Sequence, residues 1–249
     1  MRARPAVLVI AGTDSSGGAG LTRDVAVLTE LGVDAVPVVT AVTAQSDSRV
    51  TAVHHVPADT VRAQITAALT TRRVGAVKIG MLGTRAIVEA VAECLPSPDA
   101  VPIVLDPVLL ASSGGVLLDP EGCEAMRVKL FPRVTLLTPN VPEAASILGE
   151  QAAGSETALI SQARRLVALG PAAVLLKGGH AAGDEAVDWL IARDQPVLRI
   201  ASPRVATSRR GTGCSLASAI AGSLASGTAL ADACRRAKDY LRDYLTDSS

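Results

Sequence analysis

Apolar runs of strand length alternate with segments of helical period along almost the whole chain. "AVLVIAG" reads as a first buried strand, followed by a glycine-serine loop and a helix near Leu21 to Leu31. "DAVPVVTAV" and the short "TAVHHV" predict two more strands, and Pro57 opens a helix running to about Thr70. "GAVKIG" predicts the next strand, and the helix after it places Ile87, Ala90, Val91, Cys94 and Leu95 on one face. "VPIVLDP", "RVTLLTPN" and "AAVLLKGG" are further buried strands, each ended by polar residues or glycine, with a helix from about Thr157 to Leu169 between the last two. "EAVDWLIA" and "QPVLRIAS" predict a hairpin around Arg193 and Asp194. A terminal helix carries Leu230, Ala233, Ala237, Leu241 and Leu245.

Strand, loop and helix units in this order predict a mostly parallel sheet with helices on both faces. No repeat, low-complexity tract or linker divides the chain, so residues 1–249 are expected to form a single domain. Ligands of such folds bind beyond the carboxyl ends of the strands, which directs attention to the strand-end motifs.

Composition changes this picture little. The chain is 49% hydrophobic and only 2% aromatic, so the core is aliphatic. Lys plus Arg and Asp plus Glu each number 24, a balance that gives no support to nucleic-acid binding. Cys94, Cys123, Cys214 and Cys234 are widely spaced, which argues against zinc and against a disulfide framework. The first apolar run has only strand length, so no signal peptide is expected. The uncharged stretch from Gly211 to Ala231 is rich in Gly, Ser and Thr and reads as a buried helix, not a membrane span.

Five motifs carry candidate chemistry. "AGTDSSGGAG", Ala11 to Gly20, lets the backbone approach a ligand closely, or is an ordinary turn. "LDPV" places Asp106 at a strand end, and "TPNVPEA" places Asn140 and Glu143 at the end of the next. Such carboxylates suit Mg²⁺, while the plainer reading makes Asp106 and Asn140 turn caps. "LLKGGH" offers Lys177 as a point charge for phosphate beside glycine amides, or simply as a solvent-facing lysine. "GTGC" sets Gly211, Thr212 and Gly213 before a helix, where unpaired amides make an anion hole. Cys214 then falls in the first turn, where the helix dipole is expected to lower its pKa and ready it to take a proton from an alcohol. A buried, inert cysteine is the plain alternative; a covalent cysteine enzyme lacks an obvious base among His54, His55 and His180.

In this order the motifs, with "TAQ" at 43–45, "KIGML" at 78–82 and "GDEAVDWL" at 183–190, resemble the ribokinase-like superfamily. More narrowly, they are similar to the hydroxymethylpyrimidine/phosphomethylpyrimidine kinases of thiamine biosynthesis. The resemblance implies a ribokinase-like three-layer α/β/α fold. It implies phosphorylation of 4-amino-5-hydroxymethyl-2-methylpyrimidine by MgATP, with a second round on the monophosphate. It places Gly12, Asp24, Gln45, Met81 and Val108 on the pyrimidine, with Thr43 near the ring through its backbone. Asp106 and Glu143 fall to the metal, and Asn140, Lys177 and Gly179 to the nucleotide. Cys214 becomes the proton acceptor beside Gly211, Thr212 and Gly213. A cytoplasmic homodimer without membrane or nucleic-acid partners is the matching expectation. The chain departs from the pattern at Arg210, where the family has His, at Ser112 and Gly115, where it has Lys and Asp, and at Thr22–Arg23 before Asp24. It also stops at Ser249, short of the family's C-terminal tail. Arg210 is expected to supply the positive charge missing at Ser112. Pyridoxine or pyridoxal kinase activity, and a weakly catalytic pyrimidine-binding homologue, are the alternatives.

Overall fold

The computed structural model describes residues 4–46, 49–110, 115–178, 183–207 and 209–246. Gly179 and Ser112, both singled out above, lie outside them. The first apolar run forms β1 (Ala6–Asp14), followed by α1 (Gly20–Glu30), β2 (Asp34–Gln45), β3 (Val50–His55) and α2 (Ala58–Thr71). Next come β4 (Ala76–Ile79), α3 (Arg85–Cys94), β5 (Ile103–Leu105), α4 (Pro120–Ala125), β6 (Leu136–Leu137), α5 (Val141–Leu148) and α6 (Glu156–Ala168). The chain continues through β7 (Ala173–Lys177), the hairpin β8 (Glu185–Ala192) and β9 (Leu198–Pro203), α7 (Thr212–Ala225) and α8 (Leu230–Thr246).

Among the described residues, nine strands make one sheet in the order β3-β2-β1-β4-β5-β6-β7-β8-β9. The strands from β2 to β7 run parallel, and β3, β8 and β9 join antiparallel at the two edges. Strands in the middle are apolar on both faces because helices cover both. On one face Leu8, Ile10, Val77 and Ile79 pack with Val61 and Ile65 of α2, Ile87 and Val91 of α3, and Leu166 of α6. On the other, Val7, Val9 and Val104 meet Val27 and Leu28 of α1, Leu216 and Ile220 of α7, and Ala233 and Ala237 of α8. Burying each such Val, Leu or Ile contributes about 1.5–3 kcal/mol relative to exposure. No helix among the described residues is long and apolar enough to cross a membrane.

Two features position the site. The chain leaves β1 towards β2 on one side and reaches β4 on the other, so a crevice opens at the carboxyl ends of β1 and β4. α7 packs against β1, β4 and β5 with its N-terminus at that end of the sheet.

Candidate active site

A single cleft of about 940 Å³ runs across the carboxyl ends of the strands. Strand order divides it. The ends of β2, β1 and β4 bring Gln45, Thr43, Gly12 and Met81 to one half, and the ends of β6 and β7 bring Asn140 and Lys177 to the other. Asp106 and Val108, after β5, stand between. Gly12 has no side chain because Met81 lies against it; a Cβ there would come 2.9 Å from the sulfur. The Thr43 hydroxyl donates to the Thr13 carbonyl at 2.8 Å, which joins β2 to β1 below the cleft.

α7 begins at Thr212, two residues earlier than the sequence suggested, so Gly213 belongs to its first turn. Gly211 caps it in the left-handed region, with φ +73°. The amides of Thr212, Gly213 and Cys214 precede any intrahelical acceptor, and no other acceptor takes them among the described residues. Gly213 is pressed against charge: a Cβ there would stand 3.2 Å from Lys177 Nζ and 3.4 Å from Asp106 Oδ2. These amides therefore sit beside a lysine.

Lys177 Nζ donates to Asp106 Oδ1 at 2.8 Å and lies 3.9 Å from Glu143 Oε2. Burial alone would lower this lysine, but the two carboxylates hold it above its ordinary range. Asp106 also accepts from the Thr138 hydroxyl at 3.3 Å. Asn140 and Glu143 form a capping box on α5: Asn140 Oδ1 accepts from the Glu143 amide and Glu143 Oε2 from the Asn140 amide, each at 2.8 Å. Both the capping and the cleft-lining readings of Asn140 thus hold at once. Burial pushes the Glu143 carboxyl up to about 7, against the pull of Lys177, with Asp106 adding to the rise. Buried Asp106 and half-buried Glu143 share one ammonium, and with both ionised they leave negative charge that a divalent cation would relieve. No three His, Cys, Asp or Glu side chains cluster as a cage among the described residues. One or two carboxylates completed by waters and phosphate oxygens is the arrangement Mg²⁺ favours, so Asp106 and Glu143 fit it.

Cys214 lines the cleft, partly exposed, at the first turn of α7. Its thiol is not lowered, contrary to the expectation from the helix dipole. Burial pushes it up to about 11; Lys78 and the Gly20 amide pull it down, while Asp24 and Asp106 push it further up. Desolvation outweighs the dipole because these three charged neighbours, of mixed sign, leave little net help.

Two expectations need correction. Asp24 does not reach the cleft: it is fully buried on α1, with one oxygen 2.6 Å from Lys78 Nζ and the other taken by the Ser218 hydroxyl at 2.8 Å. Both oxygens are engaged inside the core, and the residue does not line the cleft. Arg210 does line the cleft, but its guanidinium binds Asp14 Oδ2 at 2.8 Å and the Ser16 hydroxyl at 2.7 Å. It ties the glycine loop to the anion-hole turn, and Lys177 is the cation that lies beside the amides. Sequence reasoning missed Lys78, a lysine inside the apolar strand β4 that reaches the cleft wall. The signal was there: a charge within a fully buried run demands a buried partner.

The sequence matches the phosphomethylpyrimidine kinase family over residues 14–249. It is 41% identical over 242 residues to the hydroxymethylpyrimidine/phosphomethylpyrimidine kinase of Escherichia coli, covering 97% of this chain and 91% of that one. Among solved structures, phosphomethylpyrimidine kinase from Clostridium difficile superposes with a TM-score of 0.85 at 33% identity, covering 98% of this chain and 100% of that one. Pyridoxal kinase from Staphylococcus aureus, solved with AMP-PCP and pyridoxal, superposes with a TM-score of 0.88 at 29% identity, covering 98% and 89%.

Proposed function

Since the chain belongs to the phosphomethylpyrimidine kinase family, we propose that it phosphorylates 4-amino-5-hydroxymethyl-2-methylpyrimidine from ATP and then phosphorylates the monophosphate, for thiamine biosynthesis. One observation supports the reading: helix-start amides that take no acceptor among the described residues line the same cleft as the Cys214 thiol, Gln45 and Met81 from the ends of β2 and β4, and Asn140 and Lys177 from the ends of β6 and β7.

The pyrimidine lies in the acceptor half, on the Gly12–Met81 floor with the Gln45 amide at its edge and Val108 beside it. An amide can donate to a ring nitrogen and accept from the exocyclic amine. The nucleotide phosphates lie against Lys177, Asn140 and the helix amides. Asp106 and Glu143 would hold Mg²⁺, which would neutralise phosphate charge. Cys214, as thiolate, takes the proton of the hydroxymethyl group while that oxygen bonds to the γ-phosphorus and the bond to ADP breaks. The Thr212–Cys214 amides carry the charge of the transferring group, and Lys177 adds a fixed positive charge beside them. Transfer of this kind needs positioning and charge more than covalent chemistry.

The purified protein with MgATP is offered the pyrimidine alcohol, its monophosphate and pyridoxal in parallel, and ADP and product masses are followed. The proposal expects both pyrimidines to be phosphorylated, the alcohol with a higher kcat/KM than pyridoxal. Pyridoxal preferred over the alcohol would favour the pyridoxal kinase alternative, and binding without ADP release would mark a pyrimidine-binding protein.

The Glu143 carboxyl adds a pH dependence. Its raised pKa means that it is charged above about pH 7 and protonated below. Metal binding needs the charged form, so KM for MgATP should rise several-fold from pH 8 to pH 6. In Glu143→Gln the KM should start higher and stay level across that range.

A further inference from the structure

Lys78 stands on β4 in the middle of the sheet, paired in register with Val9 of β1 and Val104 of β5, and it is fully buried. A lysine there is costly unless its charge is matched and used. Its ammonium is held by one carboxylate that is itself anchored, and it fits a space that a glycine leaves open. Asp24 Oδ2 of α1 lies 2.6 Å away. The other Asp24 oxygen accepts from Ser218, which is on α7 exactly one helical step of four residues beyond Cys214. Gly80 clears the space above, since a Cβ there would come 2.9 Å from Nζ. Residues four apart lie on one helix face, so the Asp24–Lys78 pair is clamped to the face of α7 that carries the sulfur. Lys78 and Cys214 both line the cleft.

We propose that Lys78 is the positioning residue of the proton transfer: a buried ammonium, anchored by Asp24 and Ser218, that serves as the counter-charge of the Cys214 thiolate. This rests on the reading of Cys214 as the proton acceptor. The sulfur gains the alcohol's proton and becomes a thiol, while Lys78 keeps its own protons throughout. The charged groups acting on the sulfur are Lys78 from β4, Asp24 from α1, Asp106 after β5 and Lys177 from β7. Of these Lys78 has the largest influence. Asp24 has the opposite sign, so it fixes Lys78 at some expense to the thiolate.

That opposition gives the test. The rate of iodoacetamide labelling of Cys214 is followed peptide by peptide at pH 8.5, without metal or nucleotide, in wild type, Asp24→Asn and Asp24→Asn/Lys78→Met. Labelling tracks the thiolate fraction. Asp24→Asn should label Cys214 at least about threefold faster than wild type, and the double variant at least about tenfold slower than Asp24→Asn. Cys94 and Cys123, on α3 and α4, should label alike in all three. Asp24→Asn leaves a buried ammonium without its partner; if it does not fold, the double variant is compared with wild type and should still label more slowly. Equal labelling of Cys214 with and without Lys78 overturns the proposal. A Cys214→Ala enzyme of normal rate would instead sink the acceptor reading and leave the labelling result intact.

Discussion

Replacing Cys214 with alanine should lower kcat by about 10²–10⁴, the range general-base catalysis spans, while KM for the pyrimidine alcohol changes less than about threefold. The split follows from where things lie. The acceptor half of the cleft is built by Gly12, Thr43, Gln45 and Met81, none of which depends on the sulfur for its place. Alanine removes a single sulfur atom at the helix start and leaves the buried Ser215 and Leu216 behind it in place. Steady-state kinetics at saturating MgATP check this. A near wild-type kcat would return Cys214 to a packing role.

Gly211→Ala should be nearly as damaging, with kcat down about 10²–10³, the loss seen when one preorganised donor is removed. Gly211 holds φ +73°, which costs an alanine about 1–2 kcal/mol, and a Cβ there would strike the Gly18 carbonyl oxygen. That oxygen is backbone and cannot swing aside, so the turn itself must move, and the Thr212 and Gly213 amides move with it. The helix behind keeps its buried face, so a cooperative thermal transition should persist. KM for the pyrimidine should hold while kcat falls; unchanged kcat would show that the turn does not grip the transferring group.

Much of this was legible in the sequence. The long buried strands stood out because their apolar runs end in glycine, proline or polar residues, as "AVLVIAG" and "AAVLLKGG" do. The β8–β9 hairpin announced itself through Arg193–Asp194, and Asp194 does take φ +56° in the turn. β6 kept only Leu136 and Leu137 of its apolar run: the Val134 amide bonds back to Phe131 in the preceding turn, although the Thr135 and Thr138 amides still reach the Ile103 and Leu105 carbonyls of β5. α4 and α5 went unread although both carry start signals: Asp119 before Pro120, and the Asn140–Glu143 capping box. Asn140 and Glu143 read first for their chemistry, and α4, only six residues long, shows too little periodicity to stand out. The strand-end motifs led to the cleft, because parallel strands bring their carboxyl ends together whatever lies between them. The Asp24–Lys78 pair could not be read in the same way. Its members lie 54 residues apart on different elements, and periodicity says nothing about which buried charges meet. A motif thus located Asp24 in the chain without telling whether it faced the ligand or the core.

The central claim, that the Cys214 sulfur receives the alcohol's proton, is tested most directly by kcat/KM of the wild-type enzyme against pH, with both substrates far below saturation so that the free enzyme is reported. The thiol, pushed up to about 11, is mostly protonated at neutral pH, and its active form grows with each step upward. Above the ionisation of Glu143, between pH 8 and 9.5, kcat/KM should climb close to tenfold per unit. A level profile across that interval, with the enzyme still folded, would contradict the account.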